Sequence, residues 1–96
     1  MFIVKRNEEP AILAHELAVE LVETGESEAA GKEFAAAAQL SPENVVARLD
    51  YGLWLMKRPD WDAARQEFDA TLLLEPVNPT ARQNLAWLQG EKRRGP

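Results

Sequence analysis

The stretch Glu28–Pro42, EAAGKEFAAAAQLSP, returns one fixed interval later as Asp62–Pro76, DAARQEFDATLLLEP. Four pairs of residues keep this 34-residue interval: Ala30 and Ala64, Phe34 and Phe68, Leu40 and Leu74, and Pro42 and Pro76. Self-similarity at a period of this size is typical of chains in which helical hairpins stack side by side. The sequence therefore predicts a helical-repeat array.

Helix breakers divide the chain into five predicted helices joined by short links. Gly25 supplies the left-handed position that ends the first helix, and prolines interrupt the chain between the later ones. Ser41, Asp60 and Asn78 are polar residues of the kind that cap the helix that follows them. The predicted helices are residues 10–24, about 27–40, 42–57, 61–74 and 78–92, between an extended arm of residues 1–9 and a tail of residues 93–96.

Apolar residues of the first predicted helix recur at three- and four-residue spacing, which places them on one face. These residues are Leu13, Ala14, Leu17, Ala18 and Leu21. An apolar stripe on one helix of each pair cannot be buried within that pair, so each repeat needs a neighbour. We expect the unpaired fifth helix to be the neighbour of the second repeat.

Composition and charge exclude several classes of protein. The chain has 96 residues, of which 46% are hydrophobic and 28% charged, as expected for one small globular domain. It contains no cysteine, so neither a disulfide framework nor a thiolate metal site is available. The net charge of −5 disfavours general nucleic-acid binding, which depends on clustered Lys and Arg. An acidic surface instead serves solubility or selects basic partners.

The amino terminus, MFIVKRNEEP, does not have the pattern of a secretory signal. Its apolar run is only Phe2-Ile3-Val4, and this run precedes Lys5 and Arg6. A signal peptide has its charge first and a longer apolar core. The sequence therefore predicts a cytoplasmic protein with no membrane association.

The repeated pattern resembles the tetratricopeptide repeat family, whose motif is a 34-residue helix-turn-helix with small, aromatic and proline residues at fixed positions. The resemblance covers about residues 11–92, as two repeats (11–44 and 45–78) and a capping helix (78–92) within one domain of residues 10–94. The matching residues are Leu17, Ala18, Leu21, Gly25, Ala30, Phe34, Ala37 and Pro42 in the first repeat, and Tyr51, Gly52, Trp61, Ala64, Phe68 and Pro76 in the second. The resemblance implies an all-α fold, a right-handed α-α superhelix of five antiparallel helices.

The departures from the family pattern are few. Ala14, Arg48 and Arg82 stand where the family has a tryptophan near the start of each repeat, and Thr71 replaces the alanine that Ala37 matches. These substitutions affect how the helices pack. They leave the predicted fold unchanged.

The resemblance also implies a ligand site, because family members hold a peptide along the concave face formed by the first helix of each repeat. The groove residues carried over are Ile12, His15, Glu16, Val19, Val22 and Glu23 from the first repeat, Val46, Leu49, Asp50, Leu53, Met56 and Lys57 from the second, and Thr80, Gln83, Asn84, Trp87 and Glu91 from the last helix.

Seven apolar residues of this predicted groove form a file across three helices, although solvent-facing helix positions are normally polar. They are Val19, Val22, Val46, Leu49, Leu53, Met56 and Trp87. A contiguous apolar surface marks an interaction site. Two alternatives stay open: curvature closes the groove and these residues are core, or the arm Phe2-Ile3-Val4 folds back into it.

The polar groove residues argue against one kind of ligand. Family domains that hold the carboxyl-terminal tails of heat-shock chaperones use Lys or Arg together with Asn as a carboxylate clamp. The matching positions here are His15, Val19, Asp50, Thr80 and Asn84. Only Asn84 and His15 suit the clamp, and Asp50 would repel a carboxylate. Glu16, Glu23 and Asp50 instead favour an apolar ligand with one or two basic residues, such as an amphipathic helix.

No pattern of catalytic residues accompanies the repeats. His15 is the only histidine, and metal binding or general-base catalysis would need partners at three- or four-residue spacing. The order of residues in a catalytic triad, a phosphate-cradling glycine loop and zinc-ligand spacing do not occur. We therefore predict no enzymatic activity, no cofactor and no metal.

The predicted function is that of a protein-protein interaction module, an adaptor or chaperone-like protein, whose partner is another protein or peptide. Two alternatives stay open. The chain self-associates, as a homodimer, through the arm or the last helix. Otherwise it is a dedicated assembly or chaperone subunit of a larger complex.

Overall fold

The protein is all-helical throughout the part of the chain that a computed structural model describes, residues 8–94 with the side chains of residues 9–90. Five helices and no strand lie in this range: α1 (Glu8–Glu23), α2 (Ser27–Leu40), α3 (Val45–Lys57), α4 (Trp61–Leu74) and α5 (Pro79–Arg94). The prediction of an all-α protein is confirmed. The arm predicted for residues 1–9 falls on residues 1–7, outside the described residues, and on two residues of α1.

The ends of the helices follow the predicted breakers with small shifts. Gly25 has a φ of 83° and follows the end of α1, as expected for a left-handed residue at a helix end. α1 begins at Glu8, because Pro10 lies within the first turn, where its missing N–H is not needed. α5 continues to Arg94, two residues beyond its predicted end, and residues 95–96 of the predicted tail lie outside the described residues.

The start of α3 was predicted wrongly. The helix begins at Val45 instead of Pro42, because Asn44 is the capping residue and Ser41 is not. The Asn44 Oδ1 atom accepts a hydrogen bond from the Ala47 backbone N–H at 3.1 Å. An asparagine side chain at this position satisfies one of the free N–H groups of the first turn.

The same cap recurs one repeat later. Asn78 Oδ1 accepts a hydrogen bond from the Ala81 N–H at 2.9 Å, which confirms Asn78 as a cap, and Asn78 lies one 34-residue period after Asn44. Asp60 occupies the capping position of α4, but its side chain makes no capping hydrogen bond. The asparagine caps therefore recur with the repeat, whereas Asp60 holds its predicted capping position without a side-chain hydrogen bond.

The chain divides into two compact units, Met1–Ala47 and Arg48–Pro96. In the first unit α1 packs against α2, and the buried hydrophobic residues are seven alanines and one phenylalanine. They are Ala11, Ala14, Ala18, Ala30, Phe34, Ala37, Ala38 and Ala47. Alanine permits close approach of two helices, so the alanines of α1 form the buried stripe. Leu13 and Leu17 are exposed, which corrects the prediction that leucines and alanines share one apolar face.

The second unit has a core of larger side chains. Its buried cluster consists of Leu55, Ala64, Phe68, Ala81 and Leu88. Phe68 is fully buried and lies against α3, since a Cβ atom built on Gly52 would be 2.8 Å from its ring. Only a glycine permits this distance, so the Gly52 position fixes how closely α3 and α4 approach.

Candidate functional site

The predicted groove residues of the first unit include several large apolar side chains that are exposed. Ile12, Val19 and Val22 of α1 and Val46 at the start of α3 are each between 39% and 56% exposed. Single exposed apolar residues are ordinary on protein surfaces, so the exposure of these residues shows only where they lie. These four residues are therefore surface and not core.

Two carboxylates accompany these valines on α1. Glu16 and Glu23 are exposed and lie three residues before and four residues after Val19, a spacing that puts all three on one side of the helix. The surface that this part of the chain offers is thus apolar with acidic borders.

His15, also predicted to face the groove, contacts α2 instead of standing free. Its ring lies edge to face against Phe34, with the ring centroids 6.0 Å apart and the planes at 65°. Aromatic pairs prefer this arrangement. No group of three or more His, Asp or Glu residues within residues 8–94 is arranged to hold a metal ion. His15 therefore takes part in packing of the first unit.

The predicted groove residues of α3 are less exposed than those of α1. Leu49, Leu53 and Met56 are half-buried and pack against the core cluster of the second unit. Asp50 is half-buried and Lys57 is exposed. These apolar side chains of α3 thus belong in part to the core. One of the two open alternatives predicted this for all seven apolar groove residues.

The last helix presents one large apolar residue of the predicted groove. Trp87 is 48% exposed and meets Trp61 of α4 edge to face, with centroids 5.4 Å apart and planes at 87°. The Asn84 side chain donates a hydrogen bond from Nδ2 to the Thr80 carbonyl oxygen at 2.8 Å, within its own helix. Gln83 is exposed, and the Glu91 side chain lies outside the described residues. Trp87 is therefore the described residue of α5 best suited to apolar contact.

An aromatic cluster at the end of α3 did not figure among the predicted site residues. Tyr51 and Trp54 stack with centroids 6.3 Å apart, and the Arg58 guanidinium lies 4.9 Å from the centre of the Trp54 ring. Burial raises the pKa of the Tyr51 hydroxyl, and the nearby carboxylates of Glu67 and Asp60 raise it further. The spacing of Trp54 and Arg58, four residues on a helix, was the signal for this cation–π contact.

Two exposed apolar residues near the end of α4 also lie outside the predicted groove. Leu73 is 86% exposed and Val77 is 75% exposed, more than any other large hydrophobic residue whose exposure is described. The helical period indicated this, because Leu73 does not share the face of Ala64, Phe68 and Thr71. Both residues are therefore available for contact with a partner.

A scan against protein-family models finds no match, and no characterised protein matches the sequence. Within residues 8–94, no helix is long and apolar enough to cross a membrane. The likeness to the tetratricopeptide repeat family therefore stays a resemblance, carried by the 34-residue period.

Proposed function

We propose that this protein is a protein-protein interaction module of the tetratricopeptide type, whose ligand is an apolar, mildly basic peptide or amphipathic helix. Exposure of large apolar side chains at the predicted ligand-facing positions carries the proposal. In this proposal the helices belong to a right-handed superhelix, and the protein is a cytoplasmic, non-enzymatic adaptor without a cofactor or nucleic-acid partner.

Charge defines the ligand further. Glu16 and Glu23 border the exposed valines of α1, and the whole chain carries a net charge of −5. A ligand with one or two Lys or Arg residues beside its apolar face gains from this potential, both in the rate of association and in selectivity. An acidic ligand is disfavoured for the same reason.

Selection from a display library of short helical peptides would test this proposal, because it requires no candidate partner. We expect the selected sequences to share an apolar face with Lys or Arg beside it. Binding of a selected peptide should weaken by about tenfold or more in Val22→Glu and Val46→Glu, which place a charge on the predicted surface.

Leu13→Glu is the matched control for these variants. Leu13 is 58% exposed and shares α1 with Val22, but it lies outside the predicted groove. Circular dichroism would verify that all variants keep their helices. Equal loss of affinity in Leu13→Glu, or no loss in the other two variants, would contradict the assignment of the surface.

Self-association is a second candidate function, favoured by the exposure of Leu73 and Val77. A homodimer would bury both residues, and a dedicated assembly or chaperone subunit would cover them with one stoichiometric client. Sedimentation over a range of concentrations, with wild type, Leu73→Glu and a chain lacking residues 1–7, separates these cases. A wild type that stays monomeric at all concentrations rules out the homodimer.

A further inference from the structure

The contact between α3 and α4 shows which side chains of a following helix pack against the first helix of a repeat. Phe68 of α4 lies against Gly52, and the Arg48 guanidinium meets the carboxylate of Glu67 with 3.0 Å between Nη1 and Oε1. Both side chains of this ion pair are largely buried, with 24% and 15% exposed. α4 thus contacts α3 through two consecutive residues, a glutamate whose carboxylate pairs with Arg48 and a phenylalanine whose ring lies against Gly52.

α5 carries counterparts of the two α3 residues that contact α4, one 34-residue period later; these positions are called the receiving positions below. Arg82 is the counterpart of Arg48, and Ala86 is the counterpart of Gly52. Gly52 is buried and Arg48 is half-buried, whereas Ala86 and Arg82 are both exposed. No helix follows α5 among residues 8–94, so this small residue and this guanidinium face solvent.

A cavity of about 570 Å³ lies between α4 and α5. Its lining residues are Trp61, Asp62, Arg65, Asp69, Leu85, Leu88 and Gln89. The size falls within the range of protein ligand pockets, roughly 300–1,000 Å³. Leu85, the residue directly before Ala86, supplies part of the apolar lining, and Leu88 belongs to the buried core cluster. The space is large enough for an aromatic side chain and its neighbours.

We propose that the open face of α5 binds a single helix of a partner protein that carries a glutamate followed directly by an aromatic residue. Arg82 pairs with the glutamate, as Arg48 pairs with Glu67. The aromatic ring packs on Ala86 and against Leu85, as Phe68 packs on Gly52.

The chain itself contains the predicted ligand pattern twice. Glu33-Phe34 in α2 and Glu67-Phe68 in α4 are the same dipeptide at the same place in the repeat. The α4 side of the cavity adds Asp62 and Asp69, seven residues apart and therefore two helical turns apart on one side of α4. With Arg65 between them, this border favours a partner helix that also bears a Lys or Arg on the edge facing α4.

This proposal goes beyond the proposed function, because it uses different residues and a different kind of ligand. The predicted groove surface selects an apolar, basic peptide through Val22 and Val46. The face of α5 requires a glutamate and an aromatic ring in succession. Variants of the two surfaces can therefore fail independently.

The test uses the full-length protein and a fluorescent, side-chain-stapled peptide with the sequence of residues 60–75, which contains the Glu67-Phe68 pair. The staple keeps the peptide helical, because isolated helices of this length are only marginally stable in water. It is placed on the side of the peptide that faces solvent. We expect anisotropy titration to show saturable binding. Affinity should fall by about tenfold or more when the peptide carries Phe68→Ala or when the protein carries Ala86→Leu, which fills the receiving position.

Charge reversal gives the sharper result. A peptide with Glu67→Lys should bind the wild-type protein several-fold more weakly, and protein with Arg82→Glu should restore its binding while weakening the original peptide. Ala86 and Arg82 are exposed, so both protein variants should fold, as circular dichroism would show. Leu13→Glu, at a residue that is 58% exposed and outside both surfaces, is the control that leaves this binding unchanged.

Three outcomes would overturn the proposal. One is the absence of saturable peptide binding to the wild-type protein. Another is equal affinity of the peptide for wild type, Ala86→Leu and Arg82→Glu. The third is a wild-type dimer that Ala86→Leu dissociates, which would show that the occupant of this face is a second copy of the chain.

Discussion

α3 and α5 begin alike and end in different surroundings. Both follow an asparagine cap, and each carries an arginine four residues and a small residue eight residues after that cap. On α3 the small residue, Gly52, is buried beneath Phe68, whereas on α5 its counterpart Ala86 is exposed. Place in the repeat therefore determines the type of residue, while the next helix determines whether that residue is buried.

A second pair of equivalent positions shows that α5 is also adapted to solvent. Leu55 of α3 is 4% exposed and belongs to the core cluster, and its counterpart one period later is Gln89, which is exposed. A polar residue here limits the apolar area that α5 presents in the absence of a partner. α5 thus presents a polar residue, Gln89, to solvent beside the exposed small residue Ala86.

The largest expected effect concerns the side chain that covers α3. Phe68→Ala should lower the free energy of unfolding by about 3–5 kcal/mol, because it removes a fully buried ring and leaves a cavity over Gly52. Leu73→Ala, on the same helix but 86% exposed, should change stability by no more than about 0.5 kcal/mol. Urea unfolding followed by circular dichroism measures both. Similar losses in the two variants would show that Phe68 does not anchor α3 to α4.

The helical glycines of α3 and α5 offer a matched pair. Gly52→Ala places a methyl group 2.8 Å from the buried Phe68 ring, and this clash should outweigh the roughly 1 kcal/mol gained in helix propensity, with a net loss of about 1 kcal/mol. A Cβ atom on Gly90 meets nothing within 4 Å, so Gly90→Ala should stabilise the protein by about 0.5–1 kcal/mol. Opposite signs in thermal unfolding support the comparison, and equal signs would contradict it.

The smallest expected effect is a pH dependence that arises from Tyr51 of α3. Tyr51 has a pKa above its ordinary value of 10.0, chiefly through burial, and its counterpart on α5 is Leu85. The folded state holds this proton more tightly than the unfolded state, so stability should fall as the pH rises above about 10. Tyr51→Phe should remove that part of the alkaline dependence. Tyr51 is the only tyrosine, so tyrosinate absorbance reports its titration directly, and a pKa at or below the ordinary value would refute the expectation.

Much of the helical framework was predictable, because its signals are local. Gly25 marked the end of α1, and the boundaries of α2 and α4 follow from the repeated stretch around Phe34 and Phe68. The start of α3 was missed because Pro42 suits a first helical turn as well as a preceding link. The repeat could have identified Asn44 as the cap, since Asn44 lies one period before Asn78, which was predicted correctly as a cap.

Burial was less predictable, because it depends on residues far away in the sequence. Leu13 and Leu17 have the spacing of a core face, yet the alanines next to them permit closer contact with α2 and are buried instead. His15 was expected at a ligand surface and contacts Phe34. The exposure of Ala86 could not be predicted either, because the repeat alone predicts that Ala86 is buried like its counterpart Gly52.

The most direct test of the proposed face on α5 is to add a helix after it. Replacing residues 92–96 with a copy of residues 58–75 continues the 34-residue period and brings a second Glu-Phe pair to Arg82 and Ala86. We expect the Tm to rise by about 5 °C or more. A graft in which alanine replaces the added phenylalanine should give little gain. An unchanged Tm, or the same gain from both grafts, would contradict the conclusion that α5 is built to receive a helix.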